Sequence, residues 1–356
     1  MARIELNHLA HQYAPGGDYA LQPMQHVWED GGAYALLGPS GCGKTTLLNI
    51  ISGLLQPSEG RVMFGERDVT TLPPEQRNIG QVFQFPVIYD TMSVFDNLAF
   101  PLRNRKLGED YVERRVTHIA GMLGLEDVLK RRANNLTADA KQKISLGRGL
   151  VREDVAAVLF DEPLTVIDPH LKWQLRRKLR EVHEQLNLTL VYVTHDQTEA
   201  LTFADKVVVM LAGQVLQVGT PQALFERPEH TFVGYFIGSP GMNFLDCQVD
   251  GSHAVVDGER IPVDPAMAEA ARTAGGLLQL GIRPGLIRPA GADEPGLTVK
   301  VDKVEDLGDY ELVTGHLGQH QIHVRLEQSE KIGSDGLRVV FPTENALLYA
   351  DDKLVG

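Results

Sequence analysis

Apolar residues fall into short, uninterrupted runs in the first two thirds of the chain. Ala33–Leu37, Ala156–Phe160 and Val191–Val193 each lead into a polar or glycine-rich segment, which predicts strands buried on both faces. Elsewhere the period changes. Leu47–Ile51 is an apolar, helix-forming run, and Leu171, Leu175, Leu179, Val182 and Leu186 recur at the spacing of an amphipathic helix. Residues 1–85 thus read as strands plus one helix, 86 to about 150 as a mainly helical insertion carrying Glu113-Arg114-Arg115, and 151–220 as a return to alternating strand and helix. After Gly238-Ser239-Pro240-Gly241 the pattern becomes short strands with turns at Asp257-Gly258, Arg283-Pro284-Gly285 and Leu307-Gly308-Asp309. The expectation is an α/β domain over 1–240 and a small all-β, barrel-like domain over 241–356.

A length of 356 residues agrees with two domains, since single cores seldom grow beyond roughly 250 to 300 residues. No segment approaches the roughly 20 apolar residues that span a bilayer, and the N-terminus lacks a charged-then-apolar signal. The chain is therefore expected to stay in the cytosol and to reach a membrane only through partners. Two cysteines, Cys42 and Cys247, argue against a disulfide framework. The formal charge of −13 is concentrated at the end: residues 241–356 hold ten Lys and Arg against nineteen Asp and Glu. That makes the C-terminal third a soluble acidic surface and excludes it as a nucleic-acid face.

Chemistry enters at Gly38-Pro39-Ser40-Gly41-Cys42-Gly43-Lys44-Thr45-Thr46. It fits G-x-x-x-x-G-K-[ST], a P-loop, between the first buried run and the first helix-forming run. Glycines let backbone N–H groups converge on phosphates and the helix adds its positive N-terminal end. Lys44 supplies a mobile charge, and the Thr45 hydroxyl is placed to ligate Mg²⁺. Far downstream, the run ending at Phe160 delivers Asp161-Glu162-Pro163. Asp161 can support Mg²⁺ through water, and Glu162 can polarise the water that attacks a γ-phosphate. The ligands expected are ATP and Mg²⁺.

With these two motifs the chain resembles the ATP-binding subunit of ABC transporters, and further elements follow in order. Tyr13, 25 residues before Gly38, stands where the family has an aromatic that stacks on adenine. Gln84, in Val82-Phe83-Gln84-Phe85-Pro86, matches the Q-loop glutamine that approaches Mg²⁺ and senses the membrane subunits. Asp168 matches the D-loop aspartate of the dimer interface, and His195, at the end of its own apolar strand, matches the switch histidine. The resemblance implies an ABC-type nucleotide-binding domain with a helical subdomain at about 86–150. It also implies two ATP-binding subunits closing on ATP, two transmembrane permease subunits, and a periplasmic solute-binding protein acting indirectly. The place implied is peripheral, on the cytoplasmic face of a bacterial inner membrane.

One element departs from the family. Its signature is usually Leu-Ser-Gly-Gly-Gln opening a helix, where here Leu136-Thr137-Ala138-Asp139-Ala140 stands. Thr137 keeps the hydroxyl, but both glycines are gone and Asp139 brings a negative charge to an anion site. Two readings stand. In one, Asp139 caps the helix and ATP still binds. In the other, the ATP site capped by this chain is catalytically weak and a different partner ATPase carries the intact signature, giving a heterodimer.

Phe236-Ile237-Gly238-Ser239-Pro240-Gly241-Met242-Asn243-Phe244, Leu280-Gly281-Ile282-Arg283-Pro284 and Val304-Glu305-Asp306-Leu307-Gly308 are similar to the carbohydrate and polyol importer branch, whose ATPases carry an OB-type regulatory domain. Within it, the departed signature and Leu164–Leu171 are similar to one ATPase of the bacterial glycerol importer, which pairs two different ATPases. The expected function is to power import of a small polyol or sugar, glycerol first, with glycerol 3-phosphate or a sugar as alternatives. Two readings of other classes are a soluble P-loop kinase and a non-hydrolysing nucleotide sensor.

Overall fold

The structure is a computed structural model and describes residues 3–165, 167–291, 293–328 and 336–356. The chain divides into two compact units, Met1–Pro221 and Gln222–Gly356.

The first unit holds two sheets. One is antiparallel, ordered β2-β1-β4-β5, from β1 (Ile4–Gln12), β2 (Tyr19–Trp28), β4 (Glu59–Phe64) and β5 (Arg67–Asp68). The other is six-stranded, ordered β10-β9-β3-β8-β7-β6, from β3 (Ala33–Leu37), β6 (Gly80–Val82), β7 (Val158–Asp161), β8 (Leu190–Thr194), β9 (Lys206–Leu211) and β10 (Gln214–Gly219). Only the β9–β10 pair is antiparallel; the rest of this sheet is parallel. All five residues of β3 and of β8 are buried, as uninterrupted apolar runs require of strands covered on both faces. One core joins the two sheets across α1 (Lys44–Ser52): Leu6, Trp28, Leu36, Leu47, Ile51, Leu159 and Val193 belong to a single buried cluster.

After α2 (Pro74–Arg77) and β6, the expected insertion is built from α3 (Val94–Arg103), α4 (Glu109–Leu123) and α5 (Ala138–Leu150). Helix α6 (Pro169–Leu186) follows β7 and α7 (Gln197–Phe203) follows β8. Along α6 the expected stripe buries Leu175, Leu179 and Val182, whereas Leu171 and Leu186 at its ends are half-buried.

The second unit is mainly strands around its own core of Leu245, Ile261, Leu280, Val313, Val324 and Val339. Two of the expected turns close hairpins, Asp257-Gly258 with both residues at positive φ and Gly308 at φ 91, where backbones with φ above zero suit Gly and Asp. Arg283-Pro284-Gly285 opens a short 3-10 helix, Pro284–Leu286, instead. Among the described residues of 241–356, the α-helix Pro265–Ala274 departs from the all-β expectation; it is capped by Asp264, which accepts from the amides of Ala266 and Met267. Its Asp-Pro start was a readable signal.

Residues 222–240 belong with this second unit, so the unit boundary falls before the change of pattern at Gly238. Buried Arg283, 3% exposed, is the physical reason. Its guanidinium donates to the carbonyls of Phe225 (3.0 Å), Gly234 (2.9 Å), Leu224 (3.4 Å) and Ile237, and lies over the Phe225 ring at 4.3 Å. Burial pushes its pKa down to about 10. Arg283→Met should leave these carbonyls unpaired at roughly 1–3 kcal/mol for each that water cannot reach. Urea unfolding of the second unit should lose about 3 kcal/mol or more, while nucleotide binding, whose site lies within residues 1–221, stays at the wild-type level.

Candidate nucleotide site

Parallel pairing sets the geometry. Leu37 of β3 is level with Thr194 of β8, and Val193 of β8 is level with Asp161 of β7. The segments after β3, β7 and β8 therefore leave one edge of the sheet side by side, at the carboxyl ends where open α/β sheets bind ligands.

Two glycines in the loop after β3 have backbones that favour no other residue. Gly41 has φ 80 and Gly43 φ 101, and Gly43 is the N-cap of α1. Lys44 is 5% exposed and turned back on its own loop, its ammonium donating to the carbonyls of Gly38 (2.8 Å) and Pro39 (2.9 Å). Those carbonyls carry partial charges, so a phosphate with full charge would compete for the same ammonium. Cys42 is buried beside it, with Sγ 3.8 Å from Lys44 Nζ, and burial raises its thiol pKa, keeping it protonated.

Thr45 Oγ1 donates to Asp161 Oδ1 at 3.5 Å. A hydroxyl and a carboxylate oxygen converging at the head of a phosphate loop are hard oxygen donors of the kind Mg²⁺ takes, alongside phosphate and water. Burial, then the neighbouring Glu162, raise the pKa of Asp161, offset in part by Thr45 and Lys44. Two adjacent carboxylates thus strain against each other where a cation would relieve them. Among the described residues no group of three His, Cys, Asp or Glu side chains could hold a metal ion; a Mg²⁺ held by Thr45 and Asp161 would take the rest of its shell from phosphate and water.

Glu162 sits at φ 45, an uncommon backbone for a residue with a side chain. Its amide donates to the Val193 carbonyl at 3.0 Å, tying the turn to β8. His195 Nδ1 lies 3.1 Å from Glu162 Oε1, and Thr165 donates to Oε2 at 3.3 Å. Tyr13 is 69% exposed, with its hydroxyl 2.9 Å from Thr46 Oγ1 and its ring edge-on to His11. A cavity of about 320 Å³ is lined by Tyr13, Ser40, Gly41, Gly43, Lys44, Thr45, Thr46 and Glu162, with Ala20 of β2. A larger hollow of about 560 Å³ in the second unit is lined by Asp246, Asp257 and His320 among others, and its carboxylates disfavour a phosphate.

The remaining expected residues lie apart from that cavity lining. Gln84 is half-buried, two residues beyond β6, the sheet neighbour of β7. Asp168 caps α6 by accepting from the His170 amide at 2.9 Å. Leu136 and Thr137 precede α5, which Ala138, Asp139 and Ala140 open. Here one reading is corrected: the cap of α5 is Thr137, whose hydroxyl accepts from the Ala140 amide at 3.3 Å, and Asp139 lies inside the helix. Thr137 takes the cap because its extended backbone, just before the helix, points its oxygen at the first-turn amides. Asp139 pairs instead with Lys143, one turn on, at 2.9 Å, a spacing readable in the sequence. Also unanticipated is Gln142, buried in α5, whose amide donates to the Pro163 carbonyl at 2.6 Å and so ties α5 to the Asp161-Glu162-Pro163 turn.

The ABC transporter family profile matches residues 21–165, and the MalK OB fold domain profile matches residues 238–285. The sn-glycerol-3-phosphate import ATP-binding protein UgpC of Escherichia coli is 38% identical over 94% of each chain. UgpC of Cupriavidus necator is 37% identical over 99% of this chain and 98% of its own. Among solved structures, cbiO1 of Clostridium perfringens, part of an ABC transporter complex, aligns with TM-score 0.58 at 28% identity, over 63% of this chain and 90% of that one. The ADP conformation of another ATP-binding cassette aligns with TM-score 0.56 at 25% identity, over 64% and 96%.

The chain belongs to the ABC transporter ATP-binding family: it binds ATP and is an ATPase coupled to import. No helix among the described residues is long and apolar enough to cross a membrane. Membership among import ATP-binding subunits implies membrane permease partners.

Gly43→Ala should cut ATP affinity at least about tenfold, a cost of roughly 1.4 kcal/mol, because a Cβ there would lie 2.7 Å from the Ala20 carbonyl at a backbone that side chains rarely adopt. Gly41→Ala shares the positive φ but meets open space and should lose less. Titration of nucleotide binding compares the two, and equal affinities in Gly43→Ala and wild type would overturn this reading of the loop.

Proposed function

We propose that this chain is one of two different ATPases driving import of a small polyol at the cytoplasmic face of a bacterial inner membrane, with a periplasmic binding protein delivering the solute. The observation that carries the mechanism is the meeting of Lys44, Thr45, Asp161, Glu162 and His195 at one sheet edge. Lys44 and the loop amides bind the β- and γ-phosphates, with Gly38 to Thr46 around them and Tyr13 against the adenine. Thr45 and Asp161 would hold Mg²⁺, Gln84 reaching it on closure, and the ion when bound spreads charge away from the phosphates. Glu162 takes the proton of the attacking water, and His195 beside it holds the γ-phosphate geometry. Asp168 serves the subunit interface.

Glycerol is the solute favoured by the departed signature at Leu136–Ala140. The relatives named for sn-glycerol 3-phosphate import favour that ester instead, and both share the three-carbon polyol. Uptake of labelled glycerol and of glycerol 3-phosphate by vesicles holding the assembled transporter decides between them, and a transporter that moves neither overturns the polyol assignment.

Glu162→Gln should keep ATP binding and lower hydrolysis by the roughly 10² to 10⁴ that loss of a general base costs. Single-turnover hydrolysis checks it, and also excludes a pure nucleotide sensor if the wild type turns over. Wild-type rates in the variant would place the base elsewhere.

The pairing with a second ATPase rests on residues 136–140. Lys143 offsets the Asp139 charge, so the missing glycine backbone is the larger impairment. In the assembled complex, with Glu162→Gln silencing this chain's own site and the partner's glutamate kept, restoring Gly at 138 and 139 should raise residual ATPase severalfold. Vigorous activity before the glycines are restored, or a fall afterwards, would show the segment to be a working cap.

A further inference from the structure

His195 is a largely exposed side chain on the turn after β8, so its place is set by the backbone on either side of it. One buried carboxylate holds that backbone from behind. Glu199 of α7 is 3% exposed. Its Oε2 accepts from the hydroxyls of Tyr192 (3.0 Å) and Thr194 (2.9 Å), and its Oε1 pairs with Lys172 Nζ at 3.3 Å. Thr194 Oγ1 in turn accepts from the Asp196 amide at 3.0 Å. The residue before His195 and the peptide after it are therefore bonded to each other and anchored to Glu199. Asp196 completes the frame by capping α7 through the amides of Thr198 and Glu199. Burial, then Glu199, hold the Tyr192 phenol far above its usual pKa, so it stays a donor. Lys172 belongs to the first turn of α6, its own amide donating to the carbonyl of Asp168 at 3.1 Å.

An apolar residue at this buried position would avoid desolvating a charge. A carboxylate that gathers three donors specifies directions instead, and all three lead to the His195 turn or to the start of α6. We infer that Glu199, Thr194 and Lys172 form a positioning network for hydrolysis, which holds His195 against Glu162 and couples that setting to the α6 turn behind Asp168. The network touches no nucleotide and rests on the roles given above to His195 and Glu162.

The test is steady-state ATPase of the assembled transporter, reading kcat and KM separately, with the melting midpoint followed alongside. Thr194→Val keeps the strand and removes the hydroxyl, and Glu199→Gln keeps the shape and removes the charge. Each should lower kcat about tenfold or more with KM for ATP within about twofold. Their combination should fall no further than the worse single variant, since both break one unit, and Thr194→Ser should restore kcat to within about twofold of wild type. Lys172→Met, at a partly exposed site and assayed below its melting midpoint, should lower kcat at least about threefold. If Thr194→Val and Lys172→Met both keep kcat within twofold while only the melting midpoint falls, the network is merely structural and the inference is overturned. His195→Ala separates the two levels: loss of hydrolysis there with none in Thr194→Val sinks the network alone, whereas wild-type hydrolysis in His195→Ala sinks the role of His195 on which it stands.

Discussion

The site depends on the register of three parallel strands. Because Leu37, Thr194 and Asp161 stand within one residue of a common level, the phosphate loop, the carboxylate pair and His195 emerge together. A slip of one residue in a strand would exchange its faces and move its terminal side chain by about 3.3 Å, more than the tolerance of any contact in the site. Register in turn is enforced by burial. Every residue of β3 and β8 is covered, so a shifted strand would push an end residue out of the covered layer into solvent.

Much of this was legible because it is local chemistry. Glycine spacing, a lysine before a hydroxyl, and acidic residues at the end of an apolar run are statements about a few neighbours. They located Lys44, Thr45, Asp161 and Glu162, which the fold brings together. What could not be read were contacts across long stretches of chain. Thr45 and Asp161 meet across 116 positions and His195 and Glu162 across 33, and nothing in either segment alone specifies a partner. Gln142 is the clearest case: its side chain reads as one more polar position on a helix, and only the packing of α5 on the turn after β7 aims it at the Pro163 carbonyl.

Errors of reading came from competition between similar residues. Thr137 and Asp139 both can cap a helix, and two positions decide the outcome through backbone conformation. The placement of residues 222–240 with the second unit is a matter of contacts and not of chain pattern. Composition changes at Gly238, but Arg283 gathers carbonyls from Leu224, Phe225, Gly234 and Ile237, and a buried guanidinium sets allegiance more strongly than the texture of the chain around it.

Charge placement explains why the site needs its ligands together. Asp161 and Glu162 stand beside the cavity into which phosphates must come, so a nucleotide arriving alone meets like charge at short range. Lys44 answers part of that and is already held by two carbonyls. A divalent cation held by Thr45 and Asp161 would answer the rest by setting positive charge beside the carboxylate pair. Asp139 follows a different logic: Lys143 of its own helix meets one carboxylate oxygen and so offsets part of its charge, which leaves backbone geometry as a second property that separates this segment from one with two glycines.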